Sequence, residues 1–138
     1  MKRKHVFGVI AGVAGITLAF GLGIAVGQQT PPAANQGVKI SPPTALELTD
    51  EIDSVNGRQL RLRIVTIEPG GAVALHSHNG RPGVAYIVQG TLTEHREGSG
   101  TVDHYEGQSF TEGKDTTHWG QNKGNIPVVI LAVDVFKP

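Results

Sequence analysis

The sequence contains no cysteine, which excludes disulfide bonds, thiolate metal sites, cysteine nucleophiles and lipid attachment through sulfur. Charged residues are scarce, at 17% of the chain, and aromatic residues make up only 5%. Gly (19) and Pro (8) are plentiful among the 138 residues. Many turn-forming residues with little charge favour short β-strands over a helical bundle. The length allows one ordinary domain.

The formal net charge of zero combines two regions of opposite charge. Residues 1–27 contain Lys2, Arg3 and Lys4 and no acidic residue, so the rest of the chain carries nine cations and twelve acids. A mildly acidic domain lacks the basic surface that binds DNA or RNA, and we expect no nucleic-acid partner.

The basic start is followed by a long uncharged apolar run, Val6 to Val26. This order is typical of an export segment, and the run predicts an N-terminal apolar helix. Its length favours a retained membrane anchor, because a spanning helix needs about 20 apolar residues. The small residues at Ala25-Val26-Gly27 instead favour cleavage of a signal peptide. Both interpretations of residues 1–27 place the domain in the periplasm or another extracytoplasmic space.

The remaining chain divides into a Pro-rich segment, residues 28–43, and a candidate domain, residues 44–138. The first predicts an extended linker. In the second, only residues 44–53 have a pattern that a helical turn could adopt. Eight to ten short strands are predicted in about 100 residues, which is typical of an all-β fold, a small antiparallel β-barrel or jelly roll.

Two turns and one alternating segment define the predicted strand pattern. Residues 59–67 alternate, with Leu60, Leu62 and Ile64 on one face and arginines on the other, as in a half-buried strand. Residues 68–71 predict a turn after it. Gly90 predicts a tight turn that folds residues 91–96 back against the strand before it.

Five of the six histidines lie between His76 and His118. His76 and His78 are two residues apart, so on a strand both project from the same face. Neutral imidazole is a common ligand for Zn, Fe, Mn, Ni or Cu. A third ligand must then come from elsewhere in the fold, and an isolated His-x-His pair is also common by coincidence on surfaces.

The spacing around these histidines resembles the two motifs of the cupin superfamily. Gly70, His76, His78 and Gly90 match the first motif, Gly-x5-His-x-His-x(3,4)-Glu-x6-Gly. Gly107, His118 and Asn122 match the second, Gly-x5-Pro-x-Gly-x2-His-x3-Asn. The resemblance covers about residues 58–136 and implies a double-stranded β-helix of the type-2 kind, with a divalent metal held by His76, His78 and His118.

One ligand of the family motif is missing. The motif glutamate falls at Gly83, and no acidic residue occurs between Glu68 and Glu94. Three alternatives follow: a three-histidine site like that of some cupin dioxygenases; a site in which His95 is the fourth ligand, if position 95 pairs opposite position 85; or a cavity that has lost its metal. Three neutral imidazoles leave a divalent charge uncompensated, so an anionic substrate is expected.

The strands that carry the histidines predict a pocket and an interface. Small side chains, Ala72, Ala74 and Ala85, share the histidine face and leave room for a small-molecule ligand. The opposite face carries larger apolar side chains that need cover, and they are Val73, Leu75, Val84, Tyr86 and Val88. The resemblance implies that a second copy supplies this cover in a homodimer.

Other polar residues are weaker candidates for the site. Arg81 could bind a substrate carboxylate and Tyr86 could donate a proton. Glu94 and His104 are expected to face solvent. Glu112 and Asp115 flank His118 and could orient it through hydrogen bonds.

These observations predict an exported or anchored cupin with a metal held by three histidines. Its most specific function would be dioxygenase-like catalysis on a small anionic substrate. The rival functions are a non-catalytic module that binds or senses a small ligand, and a structural subunit of an envelope assembly.

Overall fold

The computed structural model describes residues 29–138, and this part of the chain contains nine β-strands and no helix. In chain order the strands are β1 (Gln36–Ile40), β2 (Thr44–Glu47), β3 (Gln59–Ser77), β4 (Gly83–Gln89), β5 (Thr91–Arg96), β6 (Gly100–Tyr105), β7 (Ser109–Glu112), β8 (Thr117–Gln121) and β9 (Val128–Phe136). The predicted N-terminal helix and the export segment, residues 1–27, lie outside the described residues. From residue 29 onward no helix is long and apolar enough to span a bilayer.

All the strand pairs are antiparallel, and the main sheet has the order β6-β5-β8-β3-β9-β4-β7. The long strand β3 belongs to both halves of this sheet: residues 59–67 pair with β9, and residues 72–77 pair with β8. The sheet curls into a nearly closed barrel around a core of six buried apolar residues, Ile67, Ala85, Ile87, Leu92, Val128 and Ile130. This architecture confirms the predicted all-β antiparallel barrel.

The segment before β3 contains two strands, where the sequence predicted an extended linker followed by a possible helical turn. Within residues 28–43, β1 pairs with β3 through Val38↔Ile67 and Ile40↔Val65. Within residues 44–53, β2 pairs with the start of β3, and turns follow it. The helical interpretation of residues 44–53 was therefore wrong for residues 44–47, because β3 offers a free edge to which these residues add a strand.

Two predicted turns have a different role in the structure. Residues 68–71 remain part of β3, because Gly70 N donates to Asn122 O (3.0 Å) and Asn122 N donates to Gly71 O (2.9 Å). Gly90 does not fold β5 back on β4: β4 pairs with β7 and β9, whereas β5 pairs with β6 and β8. Gly90 is instead a crossing point between the two halves of the sheet. Its φ is +79°, and an added Cβ would lie 2.9 Å from Pro127 O.

The two faces of β3 are reversed relative to the simplest interpretation of its pattern. Leu60 and Ile64 are 41% and 45% exposed on the outside of the barrel. Arg61 and Arg63 point inward, where both bind the carboxylate of the buried Asp134 on β9. The alternation of β3 was predicted correctly, but a buried acid on another strand determines which face lies inside.

The outer face of β4 continues this exposed apolar surface. Val84, Tyr86 and Val88 are 51%, 44% and 48% exposed. Through β9, Tyr86 lies in one row with Ile64, since both residues pair with Leu131. The apolar outer face, defined by Leu60, Ile64, Val84, Tyr86 and Val88, is thus one continuous sheet surface.

Candidate metal centre

Three histidines converge inside the barrel, and two of them are direct cross-strand neighbours. His76 on β3 pairs with His118 on β8, and His78 lies just beyond the end of β3. The Nε2 atom of His118 lies 3.0 Å from Nε2 of His76 and 3.1 Å from Nε2 of His78. Within residues 29–138 this histidine cluster is the one group whose ligand atoms gather closely enough to share an ion.

Each ring of the histidine cluster is oriented by an acceptor on its other nitrogen. Nδ1 of His76 faces Ala74 O (2.8 Å), and Nδ1 of His78 faces Arg81 O (3.3 Å). Nδ1 of His118 contacts the carboxylate of Glu94. Because oxygen acceptors face every Nδ1, the neutral rings carry their protons there. The three Nε2 lone pairs are therefore left facing one another without a proton between them.

This donor set fits a divalent metal. Three converging lone pairs repel each other unless a cation lies among them, and imidazole Nε2 is a common ligand for such ions. Nitrogens about 2.1 Å from one ion, at angles of about 90 to 110°, are about 3.0 to 3.4 Å apart. The spacings of 3.0 and 3.1 Å match that range.

The surroundings keep two of the rings neutral. Burial, with smaller contributions from Arg81 and the other histidines, lowers the pKa of His78 to about 4. Burial likewise lowers the pKa of His76 to about 4, against the opposing hydrogen bond to Ala74. Both rings are therefore unprotonated at neutral pH, which is the form that binds metals.

Glu94 orients the third ring, and the expectation that it faces solvent was wrong. The residue is fully buried, and its carboxylate contacts His118 Nδ1, His104 Nε2 (2.7 Å) and Arg96 Nε (2.9 Å). Burial raises the pKa of Glu94, but the hydrogen bonds from His118, His104 and Arg96 outweigh it and lower that pKa to about 2. An ionised carboxylate that holds a ligating histidine is a common feature of metal sites. The available sequence signal was that Glu94 shares a strand face with Leu92.

Glu112 approaches the Nε2 side of His118, whereas Glu94 contacts the Nδ1 side of that ring. Its two carboxylate oxygens are each 3.5 Å from an Nε2 atom, one of His78 and one of His118. Burial raises the pKa of this carboxyl group. The prediction that Glu112 orients His118 through hydrogen bonds is therefore replaced by a position beside the converging lone pairs. Asp115, its companion in that prediction, is exposed.

The histidine cluster opens into the predicted pocket, a cavity of about 250 Å³. Its walls are largely apolar and include Val65, Ala74, Ala85 and Phe110. Its polar side chains, apart from one asparagine, are those of the histidine cluster, Glu112, Arg63 and Arg81. A small cavity with few polar groups at one wall is typical of a small-ligand site.

The structure separates the two residues proposed to bind substrate. Arg81 lines the cavity, with its side chain only 23% exposed, and it donates from Nε to Ser77 O (3.0 Å). Tyr86 belongs to the apolar outer face and is not among the residues that line the cavity. The reason is alternation, since its neighbours Ala85 and Ile87 occupy the inward positions of β4.

His95 does not join the histidine cluster. Its ring stacks on Trp119 with centroids 3.9 Å apart, and its nitrogens contact Thr101 and Gln121. The proposed fourth-ligand role required β5 to pair with β4. Because β5 pairs with β8 instead, His95 faces Trp119 in a separate surface groove.

Solved structures share this fold at low sequence identity. A predicted oxalate decarboxylase from Thermotoga maritima is 20% identical, with a TM-score of 0.50 over 68% of this chain and 91% of that one. A cupin-superfamily sugar phosphate isomerase from Silicibacter pomeroyi is 19% identical, with a TM-score of 0.52 over 73% of both chains. The cupin domain of a transcriptional regulator from Enterobacter cloacae is 15% identical, with a TM-score of 0.53 over 75% of this chain and all of that one.

The sequence also matches a family model. No curated protein matches the chain significantly. The model of the cupin domain, however, matches residues 63–134, more than half of the chain and the part that contains every member of the histidine cluster. The chain therefore belongs to the cupin family.

Proposed function

We propose that this protein binds a divalent metal ion, one of Fe, Mn, Ni, Zn or Cu, through His76, His78 and His118, and that it binds a small anionic molecule next to the ion. The observation that carries the proposal is the convergence of three Nε2 lone pairs whose Nδ1 partners are already fixed.

The arginines of the pocket support an anionic ligand. Arg63 and Arg81 both line the cavity, and the buried Nε of Arg63 has no hydrogen-bond partner among the described residues. A ligand carboxylate could accept from such a donor, and arginine binds carboxylates bidentately. The apolar walls would exclude water and strengthen these charge interactions.

The catalytic form of the proposal is dioxygenase-like chemistry on this anion. A metal bound at the histidine cluster would supply Lewis-acid charge and open coordination positions. In this proposal Arg81 and Arg63 hold the substrate carboxylate, and Glu94 keeps His118 in its ligating orientation. Among the described residues, Glu112 is the one carboxylate that lines the cavity, and its position beside two Nε2 atoms supports a role next to the proposed ion.

Metal analysis and oxygen uptake test the proposal. The full chain is purified in mild detergent without a polyhistidine tag, supplied with each of the five metals, and assayed for bound metal. We expect one equivalent in the wild type and none in His76→Ala. A wild type that stays empty with every metal contradicts the metal site.

Oxygen consumption is then measured with a panel of thiols, diketones and small carboxylic acids. Metal-dependent uptake that Arg81→Ala weakens is the expected result. Thermal stabilisation by an anion without any turnover would instead indicate a non-catalytic binding or sensing module.

We also propose that the apolar outer face is covered by a second copy of the chain. The face is an uncharged sheet surface, and a two-fold axis would place the same surface on both sides of the interface. Light scattering should give the mass of a dimer for the wild type and of a monomer for Val84→Lys. A monomeric wild type contradicts this proposal.

Export is proposed from the sequence of residues 1–27, which lies outside the described residues. A basic start and a 21-residue uncharged run support it. Fractionation of the producing cells should place the domain outside the cytoplasm, and the mass of the mature chain should distinguish a cleaved signal from a retained anchor. Recovery of the intact chain in the soluble cytoplasm contradicts export.

A further inference from the structure

The missing ligand position of the family motif has a direct cross-strand neighbour that is acidic. Gly83 on β4 pairs with Glu112 on β7. Residues directly opposite one another in an antiparallel pair project from the same face of the sheet. The Glu112 side chain therefore projects from the same face of the sheet as a glutamate at position 83 would, but from the neighbouring strand.

The backbone around Gly83 leaves no room for a side chain. A Cβ added at this position would lie 2.7 Å from Val133 O and 3.2 Å from Cβ of Asp134. A glutamate at position 83 would require β9 to move. In this barrel the ligand position of the motif is closed, and any carboxylate for the metal must come from another strand.

Glu112 is placed as such a carboxylate would be. Its oxygens approach Nε2 of His78 and Nε2 of His118 at 3.5 Å, which is the metal-facing side of both rings. The side chain is only 11% exposed, and among the described residues its carboxylate has the two 3.5 Å contacts with the histidines and no shorter hydrogen bond. A buried carboxylate without such partners is costly unless a cation compensates it.

The other buried acids near the cavity are already engaged. Asp134 accepts from Arg61 and Arg63. Glu94 contacts His118 on its Nδ1 side, away from the converging lone pairs. Of the three acids that are buried within residues 29–138, Glu112 is the one that faces Nε2 atoms.

We infer that Glu112 is a fourth protein ligand of the metal, taking over from β7 the role that the family motif gives to position 83. The inference rests on the proposed metal site. It assigns the centre a three-histidine, one-carboxylate donor set in which the acid has moved across a strand pair. The bound carboxylate also cancels part of the divalent charge.

Co²⁺ binding to the full chain tests the inference, because the visible absorption of Co²⁺ responds to its ligands. The chain is kept in mild detergent without a polyhistidine tag, and affinity is measured by competition with a chelator. We expect Glu112→Gln to lower the affinity at least about tenfold and to change the absorption spectrum of the bound ion. Glu106→Gln removes the same charge from an exposed position and should change neither.

Two results would overturn the inference while leaving the metal site intact. One is a Glu112→Gln protein with wild-type affinity and spectrum. The other is a lower affinity with an unchanged spectrum, which would indicate an effect of charge alone. Failure of the wild type to bind any metal instead contradicts the proposed function.

Folding is checked without metal by circular dichroism and thermal melting. Should Glu112→Gln not fold, Glu112→Asp retains the charge but shortens the side chain, and a changed spectrum is again expected. A Glu112→Asp spectrum identical to that of the wild type would count against the ligand role.

Discussion

Two polar clusters share the interior of this barrel and differ in how their charges are satisfied. In the arginine–aspartate cluster (Arg61, Arg63, Arg81 and Asp134), Asp134 accepts from Arg61 at 3.0 and 2.8 Å and from Arg63 at 3.0 Å. In the histidine cluster, the rings meet through lone pairs that no proton separates. The acid of the first cluster has its counter-charges within the protein, whereas the lone pairs of the second require a cation from outside.

The two clusters lie on either side of one residue without a side chain. Gly83 pairs with Asp134 on one side and with Glu112 on the other. Burial raises the pKa of Asp134, but the hydrogen bond from Arg61 and the charges of the arginines outweigh it, so that this pKa is lowered. Burial raises the pKa of Glu112, which has no comparable partner. A buried acid with internal partners is structural, and one without them points to a ligand.

The largest effect should come from breaking the arginine–aspartate cluster. Asp134→Asn leaves Arg61 and Arg63 without their buried counter-charge. Removal of one partner of a buried ion pair costs about 3 to 5 kcal/mol. We expect a loss of about 3 kcal/mol, the low end of that range. The side chains of Arg61 and Arg63 are 13% and 19% exposed, so water can partly solvate their charges.

Chemical denaturation measures this loss of stability. Asp115→Asn, at an exposed position, is the matched control and should lie within about 0.5 kcal/mol of the wild type. A loss below about 1 kcal/mol for Asp134→Asn would show that water compensates the arginines and that the cluster is not closed.

The histidine cluster should differ from the arginine–aspartate cluster in that its contribution to stability increases when metal is present. A metal at 100 times its dissociation constant stabilises the fold by about 2.7 kcal/mol. We expect His118→Ala to lose all of this increment. Without metal the substitution also costs stability, because the buried Glu94 loses one of its partners, so the metal-induced increment is compared within each protein. Thermal melts with and without Co²⁺ measure the difference, and an equal increment in the variant would contradict the site.

The sequence predicted the histidine cluster because its motif encodes a spacing rather than a contact. His76 and His118 are 42 residues apart, and their direct pairing depends on β8 lying beside β3. A local pattern does not show which distant strands pair, but the family motif links histidines on two strands that are paired. The same resemblance predicted the barrel and the gap at position 83.

The arginine–aspartate cluster has no comparable signal. Arg61 and Arg63 alternate with leucine and isoleucine, and hydrophobicity alone puts the leucines inside. Only the pairing of β3 with β9 shows that Asp134 is buried opposite Arg61. The roles of Glu94 and His95 depended in the same way on whether β5 pairs with β4 or with β8. Local propensity cannot determine partners that are distant in sequence.

A smaller effect is expected from the residue that orients the site without facing the metal. Glu94→Gln keeps the shape of the side chain but removes the charge that His118, His104 and Arg96 share. Loss of a carboxylate behind a ligating histidine lowers metal affinity about 10- to 100-fold. Competition with a chelator measures this change, and the Co²⁺ spectrum should stay close to that of the wild type.

The unchanged spectrum distinguishes Glu94 from Glu112, whose removal should alter it. Glu97→Gln, which removes an exposed acid near the end of β5, is the control and should keep wild-type affinity. A Glu94→Gln protein with full affinity would mean that His118 keeps its ligating orientation without the charge of Glu94.

The smallest effect on the metal should come from His95→Ala. His95 stacks on Trp119 and contacts Thr101 at 2.9 Å, so we expect its loss to cost about 1 kcal/mol of stability. Metal affinity and spectrum should not change, because β5 turns this ring away from the histidine cluster and toward β8. A drop in metal affinity of tenfold or more would return His95 to the site, and would mean that the pairing of β5 with β8 rearranges when the metal binds.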